Sequence, residues 1–112
     1  LPVIKYDTLS KDVIKHISEK GMGVTFVISE DDAVIGIITD GDVRRAIDSS
    51  NYFFDMNAQD IMSKGFLSVA PEELASDCLH KMAKKKIGCL AVMQDDELIG
   101  IINQKDLVKL GI

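Results

Sequence analysis

The sequence predicts an α/β fold of the α+β kind, with two pseudo-symmetric β-α-β-β-α units packed sheet to sheet. Three observations predict it. First, Val34-Ile35-Gly36-Ile37-Ile38-Thr39-Asp40-Gly41-Asp42-Val43-Arg44-Arg45 returns 64 residues later as Leu98-Ile99-Gly100-Ile101-Ile102-Asn103-Gln104-Lys105-Asp106-Leu107-Val108-Lys109. Ile35 falls on Ile99, Gly36 on Gly100 and Asp42 on Asp106 without a gap. Second, each copy is a short aliphatic run, a polar break and a helical pattern, which reads as strand, sharp turn and helix. Third, the upstream helical patterns repeat at 65, with Val13 on Cys78, Ile14 on Leu79 and Ile17 on Met82. The one-residue difference is assigned to the Gly21-Met22-Gly23 turn, where a loop absorbs it cheaply. A tandem of this kind is two copies of one supersecondary unit.

Taken in order, the elements follow from local chemistry. Leu1-Pro2-Val3-Ile4 reads as a short strand, and Asp7-Thr8-Leu9-Ser10 as turn and cap. The first helix presents Leu9, Val13, Ile14 and Ile17 as its core-facing stripe, leaving Lys11, Lys15, His16 and Glu19 off it. Gly21-Met22-Gly23 ends that helix, because glycine accepts the left-handed conformation of a C-cap. Val24–Ile28 and Val34–Ile38 form a hairpin across Ser29-Glu30-Asp31-Asp32. Thr39 caps the next helix with Asp42 three residues on, and Val43, Ala46 and Ile47 mark its apolar side.

The first unit is assigned to 1–47, a linker to 48–65 and the second unit to 66–112. Within the linker, Tyr52-Phe53-Phe54 is an aromatic cluster expected to seal one edge of the core. Asn57-Ala58-Gln59-Asp60-Ile61-Met62 reads as a capped short helix. In the second unit Phe66–Val69 is a strand, and the next helix buries Leu74, Ala75, Cys78, Leu79, Met82 and Ala83. Gly88–Met93 and Leu98–Ile102 form the second hairpin around Gln94-Asp95-Asp96-Glu97, and Asp106–Leu110 the last helix, with Asn103 as its cap.

Composition narrows the function. At 112 residues, nearly half of them apolar, the chain can bury one core or two small halves of one, and the net charge of -5 argues against a general nucleic-acid binder. Cys78 and Cys89 have neither metal nor disulfide-framework spacing and read as buried thiols of a reducing, cytoplasmic compartment. No apolar run reaches the ~18 residues of a membrane span, and no signal peptide opens the chain. A start at Leu1, not at methionine, marks a piece of a longer protein.

No catalytic constellation is found: His16 and His80 do not match between repeats, neither stands near a second metal-type ligand, and no Ser-His-Asp or Cys-His set assembles. Asp31-Asp32 and Asp95-Asp96 read as turn chemistry, and Lys81, Lys84, Lys85 and Lys86 as partners of a helix C-terminus. Glycine-rich phosphate loops are absent. What remains is Thr39-x-x-Asp42, a capping box whose carboxylate, if it faces a cleft, could accept ribose hydroxyls while the threonine and helix amides receive phosphate. Arg44 and Arg45 lie one turn on, either as solvated surface or as a phosphate fork.

On these residues the tandem resembles a pair of cystathionine-β-synthase-type (CBS) domains, a Bateman module. The marks are Gly36–Asp42 (GIITDGD), Gly100–Asp106 (GIINQKD) and Asp60-Ile61-Met62 before the second unit. Leu1–Ile4, Lys20–Gly23, the DGDVRR segment Asp40–Arg45 and the terminal Asp106–Ile112 are similar to the C-terminal part of arabinose-5-phosphate isomerases of the sugar-isomerase (SIS) type. Members often carry histidines in the second polar break, where this chain has Asn103 and Lys105.

The resemblance implies a regulatory, non-catalytic module. Its parent would be a cytoplasmic isomerase that feeds Kdo synthesis, for lipopolysaccharide or capsule, through an N-terminal SIS domain. It further implies a regulatory nucleotide or nucleotide sugar, such as an adenine nucleotide or CMP-Kdo, in the cleft between the units. Thr39, Asp40, Asp42, Arg45, Asn103, Lys105 and Asp106 are the ligand-binding candidates; no metal is expected. Self-association as a homodimer, within a tetrameric parent, would use Val43, Ile47, Leu107 and Leu110. The rival readings are an adenine-nucleotide sensor of another protein and a ligand-free dimerisation scaffold.

Overall fold

The computed structural model describes residues 1–21, 23–73, 75–85 and 89–103. They form a mixed α/β structure of two three-stranded sheets with helices, in two compact units, Pro2–Gly65 and a second beginning at Phe66. The expected last helix, Asp106–Leu110, lies outside the described residues, as do Met22, Leu74, Lys86 and Gly88.

In the first unit β1 (Val3–Lys5) runs parallel to β2 (Val24–Ile28), which pairs antiparallel with β3 (Val34–Thr39). Between β1 and β2 lies α1 (Ser10–Lys20), ended by Gly21 at φ 67, whose N–H bonds the Ile17 carbonyl. Leu9 occupies the N-cap with no side-chain cap, so the cap expected from Asp7–Ser10 is not made. The buried stripe of α1 is Ser10, Val13 and Ile17. Leu9 and Ile14, expected in the core, are exposed. A helix buries positions three and four apart, and starting the stripe one residue later turns both leucine and isoleucine outward.

α2 (Asp40–Ser49) follows β3 directly, then a 3₁₀ turn at Phe53–Asp55 and α3 (Ala58–Ile61). This stretch folds back onto the first unit. Met56 O accepts the Ser10 N–H at 3.0 Å, Thr8 O the Ala58 N–H at 2.8 Å, and Tyr6 O the Gln59 N–H at 2.9 Å. Asn57 and Asp60 make the reciprocal capping box expected of them. Ser63 pairs with Ile37 through both backbone groups at 2.9 Å, which covers part of the outer edge of β3. Phe53, Ala58 and Ile61 share the core with Ile4, Val27 and Ile38. Of the aromatic cluster only Phe53 seals anything: it is 5% exposed, while Tyr52 and Phe54 are 70% and 75% exposed. A single 3₁₀ turn points successive side chains about 120° apart, so three neighbours cannot all face inward.

The second unit repeats the pattern: β4 (Ser68–Val69) parallel to β5 (Cys89–Gln94), β5 antiparallel to β6 (Glu97–Asn103), and α4 (Ala75–Lys85) between. Cys78 and Met82 are buried with Val69 and Leu90, Leu79 packs beside them, and Ala83, expected in this core, is exposed. The register relocates the one-residue difference. Val3 pairs Phe26 and Ser68 pairs Ala91; Val27 pairs Gly36 and Val92 pairs Gly100. β1, α1 and β2 therefore map onto the second unit at 65, and only β3 maps at 64. The extra residue sits in the first hairpin turn, Ser29–Ala33, not in Gly21-Met22-Gly23. The second hairpin closes on Asp95 and Asp96 at φ 50 and 68, the left-handed pair of a two-residue turn. The first is a longer loop with only Asp32 left-handed, at φ 63.

Candidate functional site

Chain direction concentrates the polar candidates of the first unit at one point. β3 ends in Thr39 and α2 starts at Asp40, so the strand delivers its last residue to the positive end of the helix. Thr39 Oγ1 accepts the Asp42 N–H at 3.3 Å, and Asp42 Oδ2 accepts the Thr39 N–H at 2.9 Å. The Thr39 hydroxyl also donates to Oδ2, at 3.0 Å. The capping box is therefore formed.

Asp42 does more than cap. Its second oxygen, Oδ1, accepts from Arg45 Nη2 at 2.7 Å and from the Ser63 hydroxyl at 2.6 Å. The carboxylate is 6% exposed and takes four hydrogen bonds from within its own unit. Burial pushes its pKa up; the bonds from Ser63, the Thr39 N–H, Arg45 and the Thr39 hydroxyl outweigh it and hold the group below its ordinary value. Asp42 is ionised and saturated. The Arg45 side chain, 71% exposed, lies across Gly41, where an added Cβ would sit 3.2 Å from Nη1. Its remaining N–H groups face outward and suit an anionic oxygen.

Two hollows flank this turn. One, of about 560 Å³, is lined by Asp42, Arg45, Ser49, Met56, Asp60 and Ser63 among others. The other, of about 350 Å³, lies between α1 and α2, with Ile14, Ile17, Ser18, Gly23, Asp40 and Val43 in its wall. Asp40 and Asp42, neighbours in the motif, thus line different hollows. Asp40 is tied to Gly23, whose carbonyl accepts the Asp40 N–H at 3.2 Å. A Cβ at Gly23 would lie 3.1 Å from Asp40 Oδ2, at a φ of +69.

Thr39, Asp40, Asp42 and Arg45 are therefore gathered at one helix start. Asn103 ends β6 at the position matching Thr39, while Lys105 and Asp106 lie outside the described residues. Ser63 was not among the sequence candidates; no local spacing signals a partner 21 residues from Asp42. A second polar contact, His16 Nε2 with the buried Thr25 hydroxyl at 2.9 Å, was also missed. Burial first, and Lys20 second, lower the His16 pKa, with Glu19 opposing. Burial raises the pKa of both thiols: Cys78 is buried and Cys89 half-buried, and both are free. Among the described residues no group of three His, Cys, Asp or Glu could hold a metal, and no helix is long and apolar enough to cross a membrane.

Comparison with known proteins places this geometry. The CBS-domain model matches residues 1–49 and 58–112. The arabinose 5-phosphate isomerase KdsD of Yersinia pestis is 30% identical over 112 residues, which is all of this chain and 34% of that protein. The chain thus spans about a third of the length of the curated relatives it matches, and it resembles their C-terminal part. Among solved structures, the CBS-domain containing protein ATU1752 from Agrobacterium tumefaciens superposes with a TM-score of 0.91 at 19% identity, over 100% of this chain and 84% of that one. CBSX2, solved in complex with AMP, superposes with a TM-score of 0.85 at 24% identity, over 99% and 87%.

Proposed function

The chain belongs to the CBS-domain family, and from that premise we propose that it is the regulatory and self-associating module of a cytoplasmic sugar-phosphate isomerase acting on arabinose 5-phosphate. Catalysis would belong to an SIS domain elsewhere in the parent. The observation that carries this reading is the end-to-end similarity to KdsD, at 30% identity across all 112 residues. The module takes a nucleotide or nucleotide sugar, AMP and CMP-Kdo being the first to try, at the α2 start formed by Thr39, Asp40, Asp42 and Arg45. The shared fold with the AMP-bound CBSX2 supports a nucleotide. Such a ligand regulates only through its differential affinity for two arrangements of the protein.

Three measurements test it. Purified 1–112 should not interconvert arabinose 5-phosphate and ribulose 5-phosphate; turnover that tracks with the chain would overturn the assignment. Sedimentation at micromolar concentration should give a dimer, with Ile47, exposed on α2, in its surface; one chain mass throughout would remove self-association. A ligand at a hundredfold excess over Kd adds ~2.7 kcal/mol to stability, a rise of about 10 °C in melting temperature for a domain of this size. Asp42→Asn should abolish most of that rise. Flat melts across adenine nucleotides and CMP-Kdo would favour the ligand-free scaffold, a reading that the saturated Asp42 carboxylate independently supports.

A further inference from the structure

An ionised carboxylate offers about four lone-pair positions. At Asp42 four donors take them: the backbone and side chain of Thr39 on Oδ2, and Arg45 and Ser63 on Oδ1. The Oδ2 pair belongs to the capping box and forms with α2. The Oδ1 pair is different, because neither donor is needed to build an element. Arg45 reaches back one turn from an exposed position, and Ser63 is held by its backbone to Ile37 whatever its hydroxyl does.

We infer that the Ser63 hydroxyl and the Arg45 guanidinium are internal occupants of a hydroxyl-binding position on Asp42 Oδ1, so that a ligand carrying vicinal hydroxyls binds only by displacing them. The inference rests on the ligand reading above and adds a regulation to it: the unliganded unit competes with its own ligand. Displacement frees the side chain of Ser63, two residues before Gly65, where the first unit ends. It also turns the guanidinium of Arg45 loose beside the same hollow, where it can take an anionic group on that ligand. A ribose bearing a phosphate has both functions; a deoxyribose lacks part of the first.

Ser63→Ala is the clean perturbation, because it removes one competing donor and leaves both backbone bonds to Ile37 in place. The Ser63 hydroxyl donates to a carboxylate at 2.6 Å, so this competing bond is of the stronger, charge-assisted kind. Removing this competitor should therefore tighten AMP binding about tenfold. Calorimetric titration with AMP and with 2′-deoxy-AMP reads the effect, alongside unliganded melts to establish that each variant is folded. Ser63→Thr, which keeps the hydroxyl at a bridge position that tolerates β-branching, should hold wild-type affinity and serves as the folded control. In an Asp42→Asn background Ser63→Ala should change nothing. The tenfold gain should shrink with 2′-deoxy-AMP. Wild-type binding with no gain in Ser63→Ala, or a gain that persists in Asp42→Asn, overturns self-occupancy and leaves the nucleotide reading standing. Absence of AMP binding in wild type and in Ser63→Ala alike overturns both. Binding by Ser63→Ala where wild type shows none is the strongest form of support.

Discussion

Gly36 and Gly100 occupy the same place in the repeat, opposite Val27 and Val92 and beside the same register shift, yet alanine should affect them in opposite directions. At Gly36 an added Cβ would lie 2.5 Å from Met62 Sδ, 2.9 Å from Met62 Cγ and 3.0 Å from the Ser63 carbonyl oxygen. The thioether is flexible and can swing aside. The carbonyl cannot do so freely, because it accepts the Ile37 N–H at 2.9 Å and its own residue's N–H is bonded to Ile37 O. Carbon contacts are comfortable at about 3.5–4.0 Å, so the bridge must give by several tenths of an ångström. Overpacking of this kind costs ~1–3 kcal/mol. The reduced backbone entropy of alanine returns about 0.4–1 kcal/mol. The balance is roughly 1–2 kcal/mol of lost stability.

At Gly100 the nearest described atom is Val92 Cβ, 3.5 Å from the added carbon, which is ordinary contact. Among the described residues nothing there opposes the entropy gain. At about 4 °C per kcal/mol for a chain of this length, Gly36→Ala should melt several degrees below wild type and Gly100→Ala about 2–4 °C above it. Paired thermal melts by circular dichroism, with urea midpoints as a second measure, read both. The cause is checked by a cycle with Met62→Ala, since residues in contact show coupling of ~0.5 kcal/mol or more. Melting temperatures that rise equally in the two alanine variants would refute the reasoning, for they would mean that residues 62–63 do not lie on Gly36.

Other outcomes follow from the same contacts. Phe53→Ala should cost ~3–5 kcal/mol, and Phe54→Ala within about 0.5 kcal/mol, in denaturant titrations, because one ring is in the core and its neighbour is in solvent. Asn57→Ala should cost ~1 kcal/mol by removing the cap of α3, with increased amide exchange at Asp60, the N–H that the cap receives. Because the folded state holds the His16 pKa below 6.5, the unfolded chain binds more protons below that value. Stability should be complete above it and fall as the pH drops through the lowered value; His16→Gln should flatten that part of a melting-temperature profile. Asp42, also lowered, acts in a separate window: its contribution is present above 3.8 and is lost as pH falls through its depressed value.

Most of the fold was legible because it is written in local chemistry. The two hairpin turns, the glycine C-cap after α1 and the boxes Thr39–Asp42 and Asn57–Asp60 each depend on residues within four positions of one another. The stripe of α1 was misread for a physical reason. Its first buried member is Ser10, a polar residue whose hydroxyl is buried without a hydrogen-bond partner among the described residues, and hydropathy patterns skip it. Leu9 and Ile14 then completed a more apolar but incorrect face. The misplaced insertion has a similar origin. Aligning the whole hairpin at 64 and the helix at 65 put the extra residue in the turn between them, Gly21-Met22-Gly23, whereas strand register, which only pairing reveals, puts it between β2 and β3.

The candidate site was legible as a motif and not as a chemical state. Thr39-x-x-Asp42 foretells a cap, and the cap is made. Whether the carboxylate is open to a ligand depends on Arg45, near enough in sequence to suspect, and on Ser63, too far away to suspect. The same applies to Gly36, whose neighbours Met62 and Ser63 come from the segment that crosses the β3 edge. In both cases residues 62–63 decide the role of a repeated residue. They stand between the two copies, and matching residues 34–45 to 98–109 says nothing about them. A duplicated sequence therefore fixes the parts that are internal to each copy. The contacts in which Gly36 departs from Gly100 are supplied by the stretch that joins the two copies.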